Sequence, residues 1–332
     1  MAAIRWGIVG PGRIASKVVG DFKHVPNATA VAVASRSLER AQEFAARHGL
    51  PQAYGSYEQV MDDPDVDVLY IATPHPQHHA IALAAIEAGK AVLVEKTFTA
   101  TVAGAEEVID AARKHGVFAM EAMWTRFQPA IVTARKLIAN GVIGEVRQVQ
   151  ADLGVDRPYD PNDRLYNPDL GGGAMLDLGV YVVSFAQHFL GVPDRVEVSG
   201  SLAPTGVDRE AGLLLGYDAG RAAGLMISLR HPTPGAARIH GTEGWIEVPP
   251  RFHHPNRILL QRTGDDPAHI VRPPRGGGYS HELIEVTNCV LAGRTVSAIM
   301  PLDDTLAVQR ILNEACESLG VFHKEAEPQA ST

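Results

Sequence analysis

Two cysteines in 332 residues are too few for a disulfide framework, and neither Cys289 nor Cys316 sits in a metal-like pair. Both are expected to fill the core of the last helices. An excess of positive charge is also missing. Lys and Arg number 30 against 38 Asp and Glu, a net charge of −8, which argues against nucleic acid or an anionic membrane as a partner. No continuous apolar run reaches the roughly 20 residues of a membrane span. The opening Met1-Ala2-Ala3-Ile4-Arg5-Trp6 lacks a signal-peptide core, so a cytoplasmic protein is expected. Repeats and low-complexity tracts are absent. Hydrophobic residues at 45% and charged residues at 20% still make an ordinary globular chain, enough for about two domains at roughly 100–200 residues each.

The first third alternates short apolar runs with helix-like stretches. Ile4–Val9, Ala30–Ala34, Val66–Ala72, Ala91–Val94 and Val117–Met120 read as buried parallel strands. Leu38–His48, His75–Ala88 and Val102–His115 read as helices between them, with Gly89 and Gly116 placed for C-caps. That rhythm predicts βαβ units and a doubly wound parallel sheet over residues 1–122.

From residue 123 to 332 the pattern is α+β. A helix is predicted over Phe127–Asn140 and a strand over Val146–Gly154, followed by a polar loop, Asp156–Asp169. Gly171-Gly172-Gly173 opens a helix running to Leu190. Strands follow at Arg195–Leu202, Ala211–Tyr217, Ala222–His231, Ala236–His240, Trp245–Val248 and Ile258–Gln261, which suggests a largely antiparallel sheet. Ser280–Ala292 and Pro301–Leu319 are the last helices, and the tail 324–332 is expected to be disordered.

Gly10-Pro11-Gly12-Arg13-Ile14-Ala15 is a G-x-G-x-x-A run after the first strand and at the start of a helix, the context in which that pattern holds a dinucleotide. Gly10 permits the tight turn, Gly12 the approach of a pyrophosphate, and Ala15 close helix–strand packing. An NAD site places an acid at the end of the second strand, and here that acid is missing. No carboxylate lies between Phe22 and Leu38. Arg36 instead offers a planar fork to a 2′-phosphate, with the hydroxyls of Ser35 and Ser37 beside it and Arg40 a turn later. NADP(H) is therefore expected over NAD(H).

Thr73-Pro74-His75-Pro76-Gln77-His78 and Val92-Leu93-Val94-Glu95-Lys96 resemble the glucose–fructose oxidoreductase/inositol dehydrogenase/MocA (Gfo/Idh/MocA) family. Glu121–Phe127 and Gly171–Tyr181 are similar to its dihydrodiol dehydrogenase and NADP-dependent D-xylose dehydrogenase branch. The likeness runs along nearly the whole chain, and the two later motifs are the more specific. It implies a Rossmann domain, then a domain with a large, mostly antiparallel sheet that pairs subunits into a homodimer. It implies oxidation of a secondary alcohol, or reduction of the carbonyl, in a sugar, cyclic diol or small polyol. Tyr181 would be the acid/base and Lys96 its cationic neighbour, with Asp177 orienting Lys96 or bonding a substrate hydroxyl. The implied cofactor contacts add Arg13, Ile14, Thr73, Pro74, His75, His78, Glu95, Lys96, Trp124 and Arg126. The implied substrate contacts are Lys96, Trp124, Arg164, Asp177 and Tyr181.

Taken without the resemblance, Tyr181 among Val180, Val182 and Phe185 is a core tyrosine, and Lys96 is a solvated strand-end charge. Asp177 and Tyr181, four residues apart, share one face of an α-helix. His75, His78 and His79 have no thiol or acidic cluster near them in sequence, so no metal is expected. The family's Glu-Lys-Pro is Glu95-Lys96-Thr97 here. A cis bond there costs about 2.5–4 kcal/mol before Thr against roughly 0.5–1 before Pro, which leaves a trans, a strained or a shifted loop open. A noncatalytic NADP-binding regulator and a cofactor-retaining sugar oxidoreductase are the alternatives. The presence of Lys96 and Tyr181 speaks against the first, and the lack of an extra N-terminal arm against the second.

Overall fold

Six short strands build the first sheet of the computed structural model, which describes residues 3–327. They are β1 (Ile4–Val9), β2 (Ala28–Ala34), β3 (Gln52–Tyr54), β4 (Val68–Ile71), β5 (Ala91–Glu95) and β6 (Ala119–Ala122). All pair in parallel, in the order β3-β2-β1-β4-β5-β6, the doubly wound order of a dinucleotide fold. Helices α1 (Arg13–Asp21), α2 (Leu38–His48), α3 (Tyr57–Asp62), α4 (His75–Glu87) and α5 (Val102–His115) connect them. β4 and β5 are buried at every residue, as strands covered on both faces must be. Ser37 starts α2 by accepting from Arg40 N at 3.3 Å, and Thr101 starts α5 by accepting from Gly104 N at 3.0 Å. Each such cap stabilises its helix by about 1 kcal/mol. Gly116 ends α5 in the left-handed conformation that its lack of a Cβ permits.

The second unit begins at Trp124. It contains α6 (Pro129–Ala139), β7 (Val146–Gly154), a π-helical turn (Met175–Gly179) that runs into α7 (Val180–Leu190), and seven further strands. These are β8 (Arg195–Leu202), β9 (Asp208–Gly216), β10 (Ala222–Ser228), β11 (Ala237–Gly241), β12 (Gly244–Val248), β13 (Arg257–Arg262) and β14 (Ala268–Val271). The eight-stranded sheet runs β14-β13-β12-β11-β7-β10-β9-β8, antiparallel except for the β7–β10 pair. Period-2 alternation sends Leu213, Leu215, Leu225 and Ile227 into the core while Leu214 and Met226 stay 45% and 59% exposed on the other face. α7 packs on the buried face against β7 and β10. The stretch Pro168–Leu190 is apolar and long enough to cross a membrane by length and composition, although Asp169 and Asp177 interrupt it as a continuous run; 83% of its most apolar 18-residue window is buried.

Two corrections concern the C-terminal third. Residues 123–332 are not one contiguous domain, because 275–306 and 324–327 cluster with the first unit. The returning helix α8 (Ser280–Leu291) packs against β1. Asp21 at the end of α1 anchors its start, accepting from the backbone N–H groups of Gly277, Tyr279 and Ser280 at 2.7, 2.9 and 3.1 Å. The last helix, α9 (Leu302–Ser318), puts Leu302 into the first unit's core. Cys289 and Cys316 are free and buried in α8 and α9. Residues 324–327 are not disordered. Glu325 accepts from Thr101 N and Oγ1, both at 2.8 Å, and Ala326 N donates to Pro76 O at 2.7 Å. A polar sequence is ordered here because it supplies acceptors to an open helix start. The rest of the predicted tail, 328–332, lies outside the described residues.

Candidate active site

The turn after β1 and the end of β2 enclose a cavity of about 480 Å³ in the first unit. Gly10, Pro11, Gly12, Ser35, Arg36, Ser37, Arg40, Tyr57, Thr73, Pro74 and Gln77 are among its lining residues. Gly10 has φ +92°, and a Cβ there would sit 3.0 Å from Ala72 O. Gly12 differs. A Cβ on it would project into open space, and it is the N-cap of α1, whose first residues are Arg13 and Ile14. A helix N-terminus opening onto a glycine-lined cradle suits a phosphate. The Thr73 hydroxyl oxygen is buried with no hydrogen-bond partner among the described residues, a polar group that a ligand in this cavity can satisfy. The site fits a dinucleotide.

Arg36 and Arg40 are exposed at this cavity, and Ser35 is buried. Arg36 makes a side-chain hydrogen bond to Tyr57, whose phenol is pushed up by burial against the downward pull of that arginine. Tyr57 and Gln77 were not legible as site residues. Tyr57 opens a six-residue helix too short for a periodic signal, and Gln77 is one polar residue among several in α4.

Lys96 follows directly on β5, and its peptide bond to Thr97 is cis. Its loop is held by side chains from several elements. Glu95 accepts from Tyr70 and, at 3.3 Å, from Lys96 N. Glu121 of β6 accepts from Phe98 N at 3.1 Å. The His78 ring is fully buried between two carbonyl oxygens, Thr97 O at 2.9 Å from Nδ1 and Thr73 O at 2.8 Å from Nε2. It thus couples the cavity wall to the lysine loop. The His75 ring packs edge-on against it, 5.8 Å away, and His79 turns to Glu107 at 2.7 Å.

In the second unit, Asp177 sits in the π-helical turn and Tyr181 in the first turn of α7. The 3.6-residue period behind the shared-face reading therefore does not run unbroken between them. Asp177 accepts from Arg164 at 2.8 Å. The loop bearing Arg164 is braced from within. Arg157 pairs with Asp163, Tyr166 donates to Arg157 O at 2.8 Å, and Leu165 N donates to Asp163 at 2.9 Å. Although burial opposes it, Arg157 holds the Asp163 carboxyl below its ordinary value.

The Tyr181 ring is not simply core. It is half-buried against His253, with centroids 5.2 Å apart, and Trp124 stacks on His254 at 4.9 Å and 11°. His253 and His254 come from the loop between β12 and β13, far from any motif in sequence. Thr125 fixes that loop by donating to His253 O at 2.9 Å. Arg126 is 2% exposed, with its guanidinium bonded to Ser184 and Gln187 of α7. That placement makes it a brace for the helix carrying Tyr181.

Residues 4–123 match the family model described as "Oxidoreductase family, NAD-binding Rossmann fold", and 131–247 match the GFO/IDH/MocA C-terminal domain. The chain is 39% identical over 331 residues to a trans-1,2-dihydrobenzene-1,2-diol dehydrogenase of Xenopus tropicalis, covering 97% of this chain and 99% of that one. The human protein of the same name is 35% identical, with 96% and 98% covered. Among solved structures, an aldose–aldose oxidoreductase from Caulobacter crescentus complexed with glycerol superposes with a TM-score of 0.86 at 28% identity, covering 96% and 98%. A 3-ketoreductase from Actinomadura kijaniata in complex with NADP and TDP-benzene gives 0.82 at 27%, covering 95% and 97%. With an NAD(P)-type Rossmann unit, a large mixed sheet and matches along both, this chain belongs to the Gfo/Idh/MocA family of oxidoreductases.

Proposed function

We propose that the protein is an NADP-dependent oxidoreductase that interconverts a secondary alcohol and its carbonyl in a sugar, cyclic diol or small polyol. The observation that carries the cofactor choice is the cavity at the end of β2, where Arg36, Arg40, Ser35 and Ser37 stand and, among the described residues, no carboxylate lines it. Bound there, the nicotinamide cofactor supplies or accepts the hydride. The chain's own residues manage the proton. Tyr181 takes the hydroxyl proton during oxidation and returns it during reduction. A free phenol has a pKa of about 10, so it needs a neighbouring cation to act near neutrality, and Lys96 is assigned that role. Asp177, oriented by Arg164, holds a substrate hydroxyl. The names of the relatives, a diol dehydrogenase and an aldose oxidoreductase, support this substrate class.

The test is a spectrophotometric screen of polyols, aldoses, cyclic diols and dicarbonyls with NADP and NAD. Turnover with NADP and at least one such compound is expected. Tight NADPH binding without turnover of any of them would favour a noncatalytic regulator. Conversion of one compound only when a second is present, without free cofactor, would favour a cofactor-retaining enzyme.

We propose also that the exposed face of the eight-stranded sheet pairs two copies. Leu214 and Met226 lie on that face among Gln150, Glu197, Ser199, Arg238 and Glu247. An apolar centre with a polar surround is the composition of a protein interface.

A further inference from the structure

Asp208, Cys316 and His323, none of them assigned to catalysis, come together inside the second unit. Asp208 is the first residue of β9, Cys316 lies in the last turn of α9, and His323 follows that helix. One carboxylate oxygen, the thiol sulfur and one imidazole nitrogen lie within 4.8 Å of one another. Asp208 is completely buried, Cys316 is 2% exposed, and His323 is half-buried at the edge of the cluster.

Two of these groups have unused bonding capacity. Asp208 Oδ2 accepts from Met175 N at 2.6 Å, whereas Oδ1 is buried with no hydrogen-bond partner among the described residues. His323 Nε2 is buried in the same condition. Native proteins rarely leave such atoms unsatisfied without a ligand, ion or water to meet them.

We propose that Asp208, Cys316 and His323 bind a divalent transition metal, Zn²⁺ by the chemistry of the set, with a water completing the coordination. Oxygen, sulfur and nitrogen donors together exclude Mg²⁺ and Ca²⁺, which take oxygen, and suit the borderline softness of zinc. Bond lengths of about 2.0–2.3 Å in a tetrahedron separate ligand atoms by roughly 3.3–3.7 Å. The present cluster, with its ligand atoms within 4.8 Å of one another, reaches that spacing by closing up to roughly 1.5 Å. The Met175 N–H is the outer partner that orients the carboxylate toward the ion. Binding releases the Cys316 thiol proton and ties the segment after α9 to β9. Through Asp208 Oδ2 it also steadies the first residue of the turn that carries Asp177.

The experiment loads the purified full-length protein, stripped by chelator, with Co²⁺ as a spectroscopic stand-in, and in parallel measures Zn²⁺ binding by competition. One equivalent per chain and a thiolate-to-cobalt charge-transfer band in the near ultraviolet are expected. Cys316→Ser should abolish the band. His323→Ala should weaken Zn²⁺ at least about a hundredfold, since even outer partners of a metal ligand are worth up to that much. His323 is the decisive position because it lies at the cluster's edge, and circular dichroism confirms that the variant is folded. A wild-type protein that takes up no metal, a band that survives Cys316→Ser, or unchanged affinity in folded His323→Ala would each overturn the assignment.

Discussion

Arg164 donates to Asp177 Oδ1 at 2.8 Å, joining the polar loop to the π-helical turn that leads into α7. The arginine side chain is 41% exposed and the aspartate 17%, so the pair itself contributes little to stability. Under the proposed function its use is to orient the Asp177 carboxylate toward a substrate hydroxyl. A hydrogen bond to a charged group is worth about 1.5–3 kcal/mol. Asp177→Asn is therefore expected to lower kcat/KM about 10- to 150-fold with the unfolding temperature nearly unchanged. Arg164→Ala should cost less, mainly in KM. A drop in unfolding temperature matching the loss of activity would show a merely structural pair.

Arg36 is expected to distinguish the two cofactors. In Arg36→Ala the charge-assisted bond to a 2′-phosphate disappears, so the NADP dissociation constant should rise about 10- to 150-fold and that of NAD by less than about threefold. Fluorescence titration of both reduced cofactors reads this directly. Equal losses would remove the phosphate assignment. Tyr57→Phe, which takes away the phenol bonded to Arg36, should show the same selectivity at smaller amplitude.

Tyr181→Phe keeps the ring against His253 and removes only the hydroxyl that the proposed function makes the proton carrier. General acid–base catalysis contributes about 10²–10⁴-fold, so kcat should fall by that amount with NADPH affinity within about twofold of the parent. Wild-type turnover in the variant would exclude Tyr181 as the acid/base.

Strand and helix boundaries were most legible where local chemistry repeats itself. β1, α2, α5, β7 and β8 start and stop where the sequence reading places them, because alternation, the Ser37 and Thr101 caps, and Gly49 and Gly116 all act within a few residues. β3 with three residues, α3 with six and the polar β14 are too short or too hydrophilic to stand out. Membership of a unit is decided by distant pairings instead. Nothing near Tyr279 announces that its backbone will bond Asp21, 258 residues earlier. The candidate site divides the same way. That Gly10, Gly12 and Arg36 line one cavity was legible because a Gly-rich strand–turn–helix and the end of the next strand meet at fixed spacing in this fold. His253 beside Tyr181 is a consequence of where a β12–β13 loop lands.

Glu282 of α8 supplies a pH test of the first unit. It is 1% exposed, and neither carboxyl oxygen has a hydrogen-bond partner among the described residues. Burial, and after it the facing Glu95 and Asp21 carboxylates, hold its carboxyl well above the ordinary 4.5. With the folded pKa above the unfolded one, the native state binds the extra proton between the two. Unfolding free energy therefore falls as pH rises above about 4.5, and below that value the contribution is constant. Glu282→Gln removes this titration. Urea melts between about pH 5 and 8 should show a decline shallower than the parent's by up to about 1.4 kcal/mol per pH unit. Parallel slopes would mean that Glu282 is ionised in the folded state.

The exposed face of the large sheet makes its own prediction. Leu214 and Met226 are on strands β9 and β10, which pair directly toward the β8 end of the sheet, so the two side chains form one apolar patch on its exposed face. A stable interface buries roughly 800 Å² per partner, with few central residues carrying most of the energy. Light scattering of the parent should report twice 35.6 kDa. Leu214→Lys combined with Met226→Lys places like charges opposite each other across a two-fold interface, and should return the monomer mass while leaving the circular dichroism spectrum unchanged. Both side chains already face away from the core, so the fold tolerates the change. A parent that is monomeric at micromolar concentration, or a double variant that stays dimeric, would place the pairing surface elsewhere or nowhere.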